Sequence, residues 1–377
     1  VVLRERNQVT DAIPLVDLRQ AHAEVADEIE KSLRSVIEDT AFINGPEVAA
    51  FEDEYAEFGS VAHCVGVANG TDAIELALRA AEVPAGGHVA LPANTFVATA
   101  EAVVRAGGRP VLTDVDPDYL LMDPSSLAEA LGPDVAAVIP VHLYGQMAPM
   151  TAICELAARH HAVVVEDAAQ AQGALQLGRA PGTWGTAAAT SFYPGKNLGA
   201  YGDAGAVLTD SAEVASSIRL LREHGSARKY EHVALGFNSR LDSLQAAVLR
   251  VKLRRLAEWN ERRRRAAAYY DELLAGIDEL ILPRQADGND HVWHLYVIRV
   301  SQRDSVFSRL QELGIQAGIH YPVPLHLQPA FRYLGYSPGD FPVTEAAAAS
   351  IVSLPLHPHI TPGQQRKVAA AVRKVVP

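Results

Sequence analysis

Cysteine is nearly absent: two thiols, Cys64 and Cys154, occur in 377 residues. This excludes a disulfide framework and a cysteine-rich zinc cluster, and two thiols without a pairing pattern fit a reducing, cytoplasmic setting. Long apolar runs are missing too. No stretch approaches the roughly 18 residues that a membrane span needs, and residues 1–8 carry no secretory apolar core. Positive charge is in the minority, with 33 Lys and Arg against 45 Asp and Glu and a formal net charge of −12. A nucleic-acid-coating protein normally carries a basic face, so no nucleic-acid partner is expected. An anionic small molecule remains compatible, because a local pocket can be positive on a negative protein.

What is present describes an ordinary globular chain, 49% hydrophobic and 21% charged, able to bury a sizeable core. Short apolar runs at 63–67, 88–91, 110–113, 135–141, 162–165, 187–192 and 204–209 alternate with amphipathic stretches at 72–81, 96–105, 149–160 and 211–222. Apolar strands alternating with helices predict one large α/β domain around a mostly parallel seven-stranded sheet. Upstream, Leu18, Val25, Ile29, Leu33 and Val36 recur at helical spacing. Downstream, a long charged helix is predicted from 241 to about 270, with Leu241, Leu244, Val248, Val251 and Leu256 on its apolar side. Its four consecutive arginines, Arg262 to Arg265, are expected on a solvated face, with a phosphate site as the other reading. A smaller C-terminal α+β unit follows, with a strand over 292–300 and helices near 305–313 and 362–375. The expected division is residues 1–255 and 256–377.

Three pieces carry chemistry. The run Val163-Val164-Val165-Glu166-Asp167 is an apolar strand ending in carboxylates, at the sheet edge where α/β proteins bind ligands. A phosphate-binding loop of the nucleotide-hydrolase type is not matched, because Gly195-Lys196 is followed by Asn197 and Thr190 stands where the first glycine belongs. Lys196, in Ser191-Phe192-Tyr193-Pro194-Gly195-Lys196-Asn197, follows a small apolar strand and lies in a loop near the same edge. In Val67-Ala68-Asn69-Gly70-Thr71-Asp72, a strand turns tightly into a helix. Gly70 lets the backbone approach an anion, and Thr71 adds a hydroxyl and an N–H at a helix N-terminus. A lysine, a carboxylate and a phosphate cradle are what pyridoxal phosphate needs: an amine for its aldehyde, an anion for its ring nitrogen, and donors for its phosphate.

The order Asn-Gly-Thr, Thr-Phe, Glu-Asp-Ala-Ala-Gln, Ser-Phe-x-Pro-x-Lys-Asn-Leu-Gly and Gly-x-Asn-x-Arg across residues 69–240 closely resembles the DegT/DnrJ/StrS family. These are pyridoxal-phosphate-dependent nucleotide-sugar aminotransferases of the aspartate-aminotransferase fold. The resemblance extends from Ile13-Pro14-Leu15 to Ser353-Leu354-Pro355. It implies Lys196 as the Schiff-base lysine and Asp167 as the partner of the pyridine nitrogen, with Gln170 meeting the ring oxygen and Phe96 covering the ring face. Gly70, Thr71 and Ser191 would hold the phosphate. Asn238 would reach the phosphate in the neighbouring subunit, so a homodimer with shared active sites is implied. No metal is expected.

The same resemblance implies L-glutamate as amino donor and a dTDP-linked keto-deoxysugar as acceptor. The segment Ile319-His320-Tyr321-Pro322-Val323-Pro324-Leu325-His326-Leu327 is similar to that of the 3-keto-sugar aminotransferases, which favours amination at C-3. His320, Tyr321 and His326 are expected to meet the sugar, with Tyr193 lining its pocket. Arg240, together with Arg228, Lys229 and Tyr230, is a candidate for the diphosphate. The competing readings are C-4 amination or dehydration of a related sugar, and a non-catalytic regulator that keeps the cofactor site.

Overall fold

A computed structural model describes residues 12–377, so the reading of residues 1–8 lies outside the described residues. Two helices precede the sheet. α1 (Leu18–Asp39) starts where the Asp17 carboxylate accepts from the N–H groups of Arg19 and Gln20 at 3.0 and 3.3 Å, satisfying donors that a first turn leaves unpaired. α2 (Pro46–Phe58) opens with proline, whose missing N–H costs nothing at a helix start.

All seven expected strands form one sheet. β1 (His63–Val67), β2 (His88–Pro92), β3 (Arg109–Thr113), β4 (Val135–Val138) and β5 (Val163–Asp167) are joined by strands Ala187–Ser191 and Gly205–Thr209. The spatial order is β1, Gly205–Thr209, Ala187–Ser191, β5, β4, β2, β3. Gly205–Thr209 runs antiparallel to both neighbours, and every other pair is parallel. β4 ends three residues earlier than the apolar run, which contains Pro140, a residue with no N–H for the ladder. β5 instead runs two residues further and carries Asp167 to the sheet edge.

Helices α3 (Gly70–Ala80), α4 (Val97–Arg105), α5 (Pro124–Ala130), α6 (Met150–Arg159) and α7 (Ala212–Arg222) flank the sheet. Side chains alternate between its faces: Val65, Val165 and Ala189 enter one apolar cluster, Cys64, Val164 and Ala188 the other. Adjacent acids therefore face opposite ways. Glu166 is buried among structural partners, accepting from the N–H groups of Gly182 and Gly185 at 2.9 and 3.0 Å and from His142 Nε2 at 2.9 Å. His142 Nδ1 accepts from the Ala148 N–H, so the ring hydrogen sits on Nε2 and points at Glu166.

α8 (Ser243–Leu274) is a single 32-residue helix. Val248, Val251 and Trp259 pack on Val25 and Ile29 of α1. The helix passes without a break through residues 255 and 256. Its arginine run departs from the expected solvated face. Arg262, Arg264 and Arg265 pair with Glu24, Glu258 and Glu261, but Arg263 is buried and donates to the carbonyls of Trp293 and Leu356 at 3.2 and 3.0 Å. Helical rotation turns one residue in such a run inward.

The C-terminal part holds a three-stranded antiparallel sheet in which Tyr296–Val300 lies between Leu280–Ile281 and Ile351–Leu354. α9 (Arg303–Glu312), α10 (Pro342–Ser350) and α11 (Pro362–Val375) accompany it. The strand expected over 292–300 is shorter because its first half serves another partner. The Val292 and Leu295 N–H groups donate to the carbonyls of Gly145 and Tyr144 at 2.8 and 3.2 Å, which seats His294 beside the large sheet. No helix among the described residues is long and apolar enough to cross a membrane.

Candidate active site

A cavity of about 690 Å³ opens at the carboxyl ends of the central strands. One wall is the start of α3. There Asn69 Oδ1 caps the helix by accepting from the Asp72 N–H at 2.9 Å, leaving Gly70 and Thr71 in the first turn, where backbone N–H groups face outward. A Cβ added at Gly70 would come within 2.6 Å of Ser191 Cβ, so this turn and Ser191 are in direct contact. The Ser191 hydroxyl accepts from the Tyr193 N–H at 3.3 Å, which leaves its own hydrogen to donate. Gly70, Thr71 and Ser191 together make a pocket of donors suited to an anion.

Asp167 faces the same cavity. Its Oδ2 accepts from the Thr99 hydroxyl at 2.8 Å and its Oδ1 from the Ala169 N–H at 3.1 Å. Thr99 Oγ1 lies 2.9 Å from Thr95 Oγ1. Lys196 sits in a turn whose N–H donates to the Tyr193 carbonyl at 2.8 Å. Burial pushes the Lys196 amine down to about 8, against the opposing pull of the Asp167 charge. The loop is clamped further on by Lys252, which donates to the Gly199 carbonyl at 2.6 Å.

Gln170 has a determined orientation. Its Oε1 accepts from the Tyr144 N–H at 2.7 Å, so Nε2 faces Tyr321 and donates to that hydroxyl at 3.2 Å. The second Nε2 hydrogen remains for a ligand oxygen. Phe96 stands half-exposed in the cavity with its ring 5.2 Å from that of Tyr321. His320 Nδ1 is 2.8 Å from Ser353 Oγ, and burial, with a smaller contribution from the Lys196 charge, pushes its imidazole down to about 4. Burial raises the Tyr321 phenol well above its ordinary value, with the Asp167 charge adding to the shift. Both groups are therefore neutral hydrogen-bonding elements near pH 7.

The cavity thus gathers Gly70, Thr71, Phe96, Asp167, Gln170 and Ser191, and with them Tyr193, Lys196, His320 and Tyr321. Three expected residues lie elsewhere. His326 is a correction: its side chain is buried away from the cavity, with Nε2 3.0 Å from Glu345 Oε1 and its ring 4.8 Å from that of Phe341. It braces the proline-stiffened loop from behind. Arg240 is held by Glu223 at 2.7 Å and donates to Asn238 Oδ1 at 2.6 Å. Neither Arg240 nor Asn238 lines the cavity of its own chain. Tyr230, beside Arg228 and Lys229, projects at 85% exposure.

Thr95, Thr99 and His294 also line the cavity without having been singled out as site residues from the sequence. The two threonines flank Phe96 in the sequence, but Thr95 precedes the N-cap of α4 and Thr99 lies in its first turn, so no helical face announced their approach. His294 stands in Val292-Trp293-His294-Leu295, a segment that also resembles the 3-keto-sugar branch, but its place at the cavity depends on the pairing of residues 292–295 with Tyr144 and Gly145.

A deprotonatable buried lysine, a fixed carboxylate and a donor-rich anion cradle in one cavity match the three demands of pyridoxal phosphate. Residues 23–373 match the model of the DegT/DnrJ/EryC1/StrS aminotransferase family. The chain belongs to that family. Pyridoxal phosphate is accordingly its cofactor, and it is an aminotransferase. Among relatives of this DegT/DnrJ/EryC1/StrS member is a dTDP-3-amino-3,4,6-trideoxy-alpha-D-glucose transaminase of Streptomyces venezuelae, 44% identical over 97% of this chain and 96% of that one. A protein of Geobacillus stearothermophilus named pleiotropic regulatory protein is 45% identical over 96% and 97%. Among solved structures, S. venezuelae DesV in complex with a ketimine intermediate superposes with a TM-score of 0.95, at 43% identity over 97% of this chain and 98% of that chain.

Proposed function

We propose that this aminotransferase moves the amino group of L-glutamate to the C-3 ketone of a dTDP-linked keto-deoxysugar, giving a dTDP-amino-deoxysugar. The observation that carries the reading is the cavity itself. It places Lys196 and Asp167 beside His320 and Tyr321 of the segment similar to the 3-keto-sugar branch. The 44% identity to a relative named for a 3-amino sugar supports the same choice.

When bound, pyridoxal phosphate supplies the carbonyl that carries the amino group and a ring that withdraws electrons. The chain's residues do the rest. Gly70, Thr71 and Ser191 would hold the phosphate with N–H and O–H donors, Asp167 would keep the ring nitrogen protonated, and Gln170 would donate its free hydrogen to the ring oxygen. Phe96 would cover the ring face. Lys196 would hold the aldehyde carbon between turnovers; once released, its Nζ would take the proton from the donor's α-carbon and return one to the sugar carbon. An amine depressed to about 8 can be deprotonated near neutral pH. His320 and Tyr321 offer uncharged polar groups to sugar hydroxyls, and Tyr193 borders the same space.

The assembly is a homodimer on this reading. Among the described residues, the cavity has two cationic side chains, Lys196 and Arg105. Arg105 is already matched by Asp72 and Glu75 at 2.9 and 2.8 Å. A nucleoside diphosphate and a cofactor phosphate need more than that, and we assign the rest to a second copy's Asn238 and to its exposed segment carrying Arg228, Lys229 and Tyr230. We further read residues 1–255 and 256–377 as two domains sharing α8, and the chain as cytoplasmic, on its two free thiols.

The test is product NMR with a panel of dTDP-keto sugars and L-glutamate. Nitrogen at C-3 is expected; nitrogen at C-4, or loss of a hydroxyl without nitrogen gain, overturns the proposal. The Geobacillus relative's name raises the regulator reading, which predicts a cofactor spectrum that glutamate leaves unchanged.

A further inference from the structure

The Asp167 carboxylate is held by a directed chain of two hydroxyls. Thr99 is fully buried and Thr95 is 4% exposed. An ionised carboxylate only accepts. The 2.8 Å contact of Thr99 Oγ1 with Asp167 Oδ2 therefore commits the Thr99 hydrogen to Asp167. The 2.9 Å contact between the two threonines must then run from the Thr95 hydroxyl to the Thr99 oxygen. Both residues lie at the start of α4, whose N-cap, Phe96, makes no side-chain capping bond. One turn of chain carries the aromatic ring expected over the cofactor and the brace on its counter-ion.

We infer that Thr99, seconded by Thr95, is a positioning residue that holds the Asp167 carboxylate fixed in rotation, and so sets the charge on the cofactor's ring nitrogen. The inference rests on Asp167 facing that nitrogen, as proposed above. A donated hydrogen bond stabilises the charged form of a carboxylate. The proton shared between carboxylate and ring nitrogen is thereby biased towards nitrogen. The Ala169 N–H supplies a donor to the other oxygen, so each oxygen keeps a free lone pair for the ring N–H.

The test reconstitutes the purified protein with pyridoxal phosphate carrying 15N in the ring and reads the nitrogen resonance, which separates protonated from neutral pyridine. Cofactor affinity is measured in parallel by fluorescence quenching. Thr99→Val is expected to move the resonance towards the neutral position and weaken binding about tenfold, the loss of one hydrogen bond to a charged group. Thr99→Ser restores both, and Thr95→Val shows a smaller change in the same direction. In an Asp167→Asn background, Thr99→Val should weaken binding no further. A Thr99→Val protein with unchanged resonance and affinity overturns the inference, as does equal weakening in the Asp167→Asn background. Should Thr99→Val fail to fold, Thr95→Val carries the same readouts, and a wild-type resonance there overturns the relay. A neutral ring nitrogen in the unaltered protein would bring down the reading of Asp167 and this inference with it; a protonated one that ignores Thr99 brings down the inference alone.

Discussion

Asn197 fixes the tautomer of His294. The Asn197 amide nitrogen donates to Asn260 Oδ1 and the Val292 carbonyl at 2.9 and 3.0 Å, so its oxygen must face His294 Nδ1, 3.1 Å away. That oxygen can only accept, so Nδ1 carries the hydrogen and Nε2 is left with a lone pair. Burial depresses the His294 pKa well below its ordinary value, with the charge of Lys196 next in weight. A neutral, acceptor-only nitrogen thus belongs to a residue lining the cavity beside Lys196. Replacing His294 with Leu strands the buried Asn197 oxygen and should cost about 1–3 kcal/mol of stability. Urea denaturation of the cofactor-free protein measures this, and an unchanged midpoint would refute the bond.

Acid should destabilise the fold before the carboxylates titrate. His291, His294, His320 and His357 are all pushed down by burial, His291 to about 3 and both His320 and His357 to about 4. Unfolded histidines protonate near 6.5. Below that pH the unfolded chain binds more protons than the folded one, so stability falls as pH falls. Going from pH 7.5 to 5.5 should remove roughly 1.4 kcal/mol for each buried histidine. Denaturation midpoints compared at these two pH values give the sum, and equal midpoints would mean that these rings are charged in the folded protein.

Burial pushes both Lys196 and Lys252 down to about 8, but Lys252 is engaged with the Gly199 carbonyl while Lys196 lines the open cavity, so Lys196 should be the more readily acylated of the two in the cofactor-free protein. Its pKa of about 8 means that the reactive neutral fraction is half-maximal some two pH units below that of an ordinary lysine. Limited acetylation across pH, followed by peptide mass spectrometry, should give a midpoint near 8 for this residue. Borohydride reduction of the loaded protein should label the same peptide, and Lys196→Ala should abolish the label and cut turnover at least about a hundredfold. A label on another lysine removes Lys196 from its role.

The sequence made the sheet and most of the site readable because both depend on local order. Strand runs such as Val163–Asp167 are apolar throughout, as strands buried on both faces must be. Gly70, Asp167, Ser191 and Lys196 all lie at strand ends, and strand ends in a parallel sheet converge without any knowledge of tertiary packing. What escaped needs three dimensions. Arg263 looks like its three neighbours in the run, yet helix rotation turns it inward onto the Trp293 and Leu356 carbonyls. His326 stands in the same aromatic, proline-rich segment as His320 and Tyr321, but faces Glu345 across the loop. His294 reaches the cavity through backbone pairing with residues about 150 positions earlier.

Asn238 offers a test of the shared site that does not depend on which sugar is bound. In its own chain it accepts from Arg240 and lies outside the cavity. If it serves the partner's phosphate, its loss and the loss of Lys196 strike different sites of a two-fold dimer. A Lys196→Ala chain paired with an Asn238→Ala chain then has one cavity carrying both lesions and one carrying neither. Random reassortment makes half the dimers hybrid, so about a quarter of wild-type activity should return at limiting cofactor from two preparations that are each impaired. Were Asn238 to act within its own chain, every cavity in the hybrid would keep one lesion, and mixing would restore nothing.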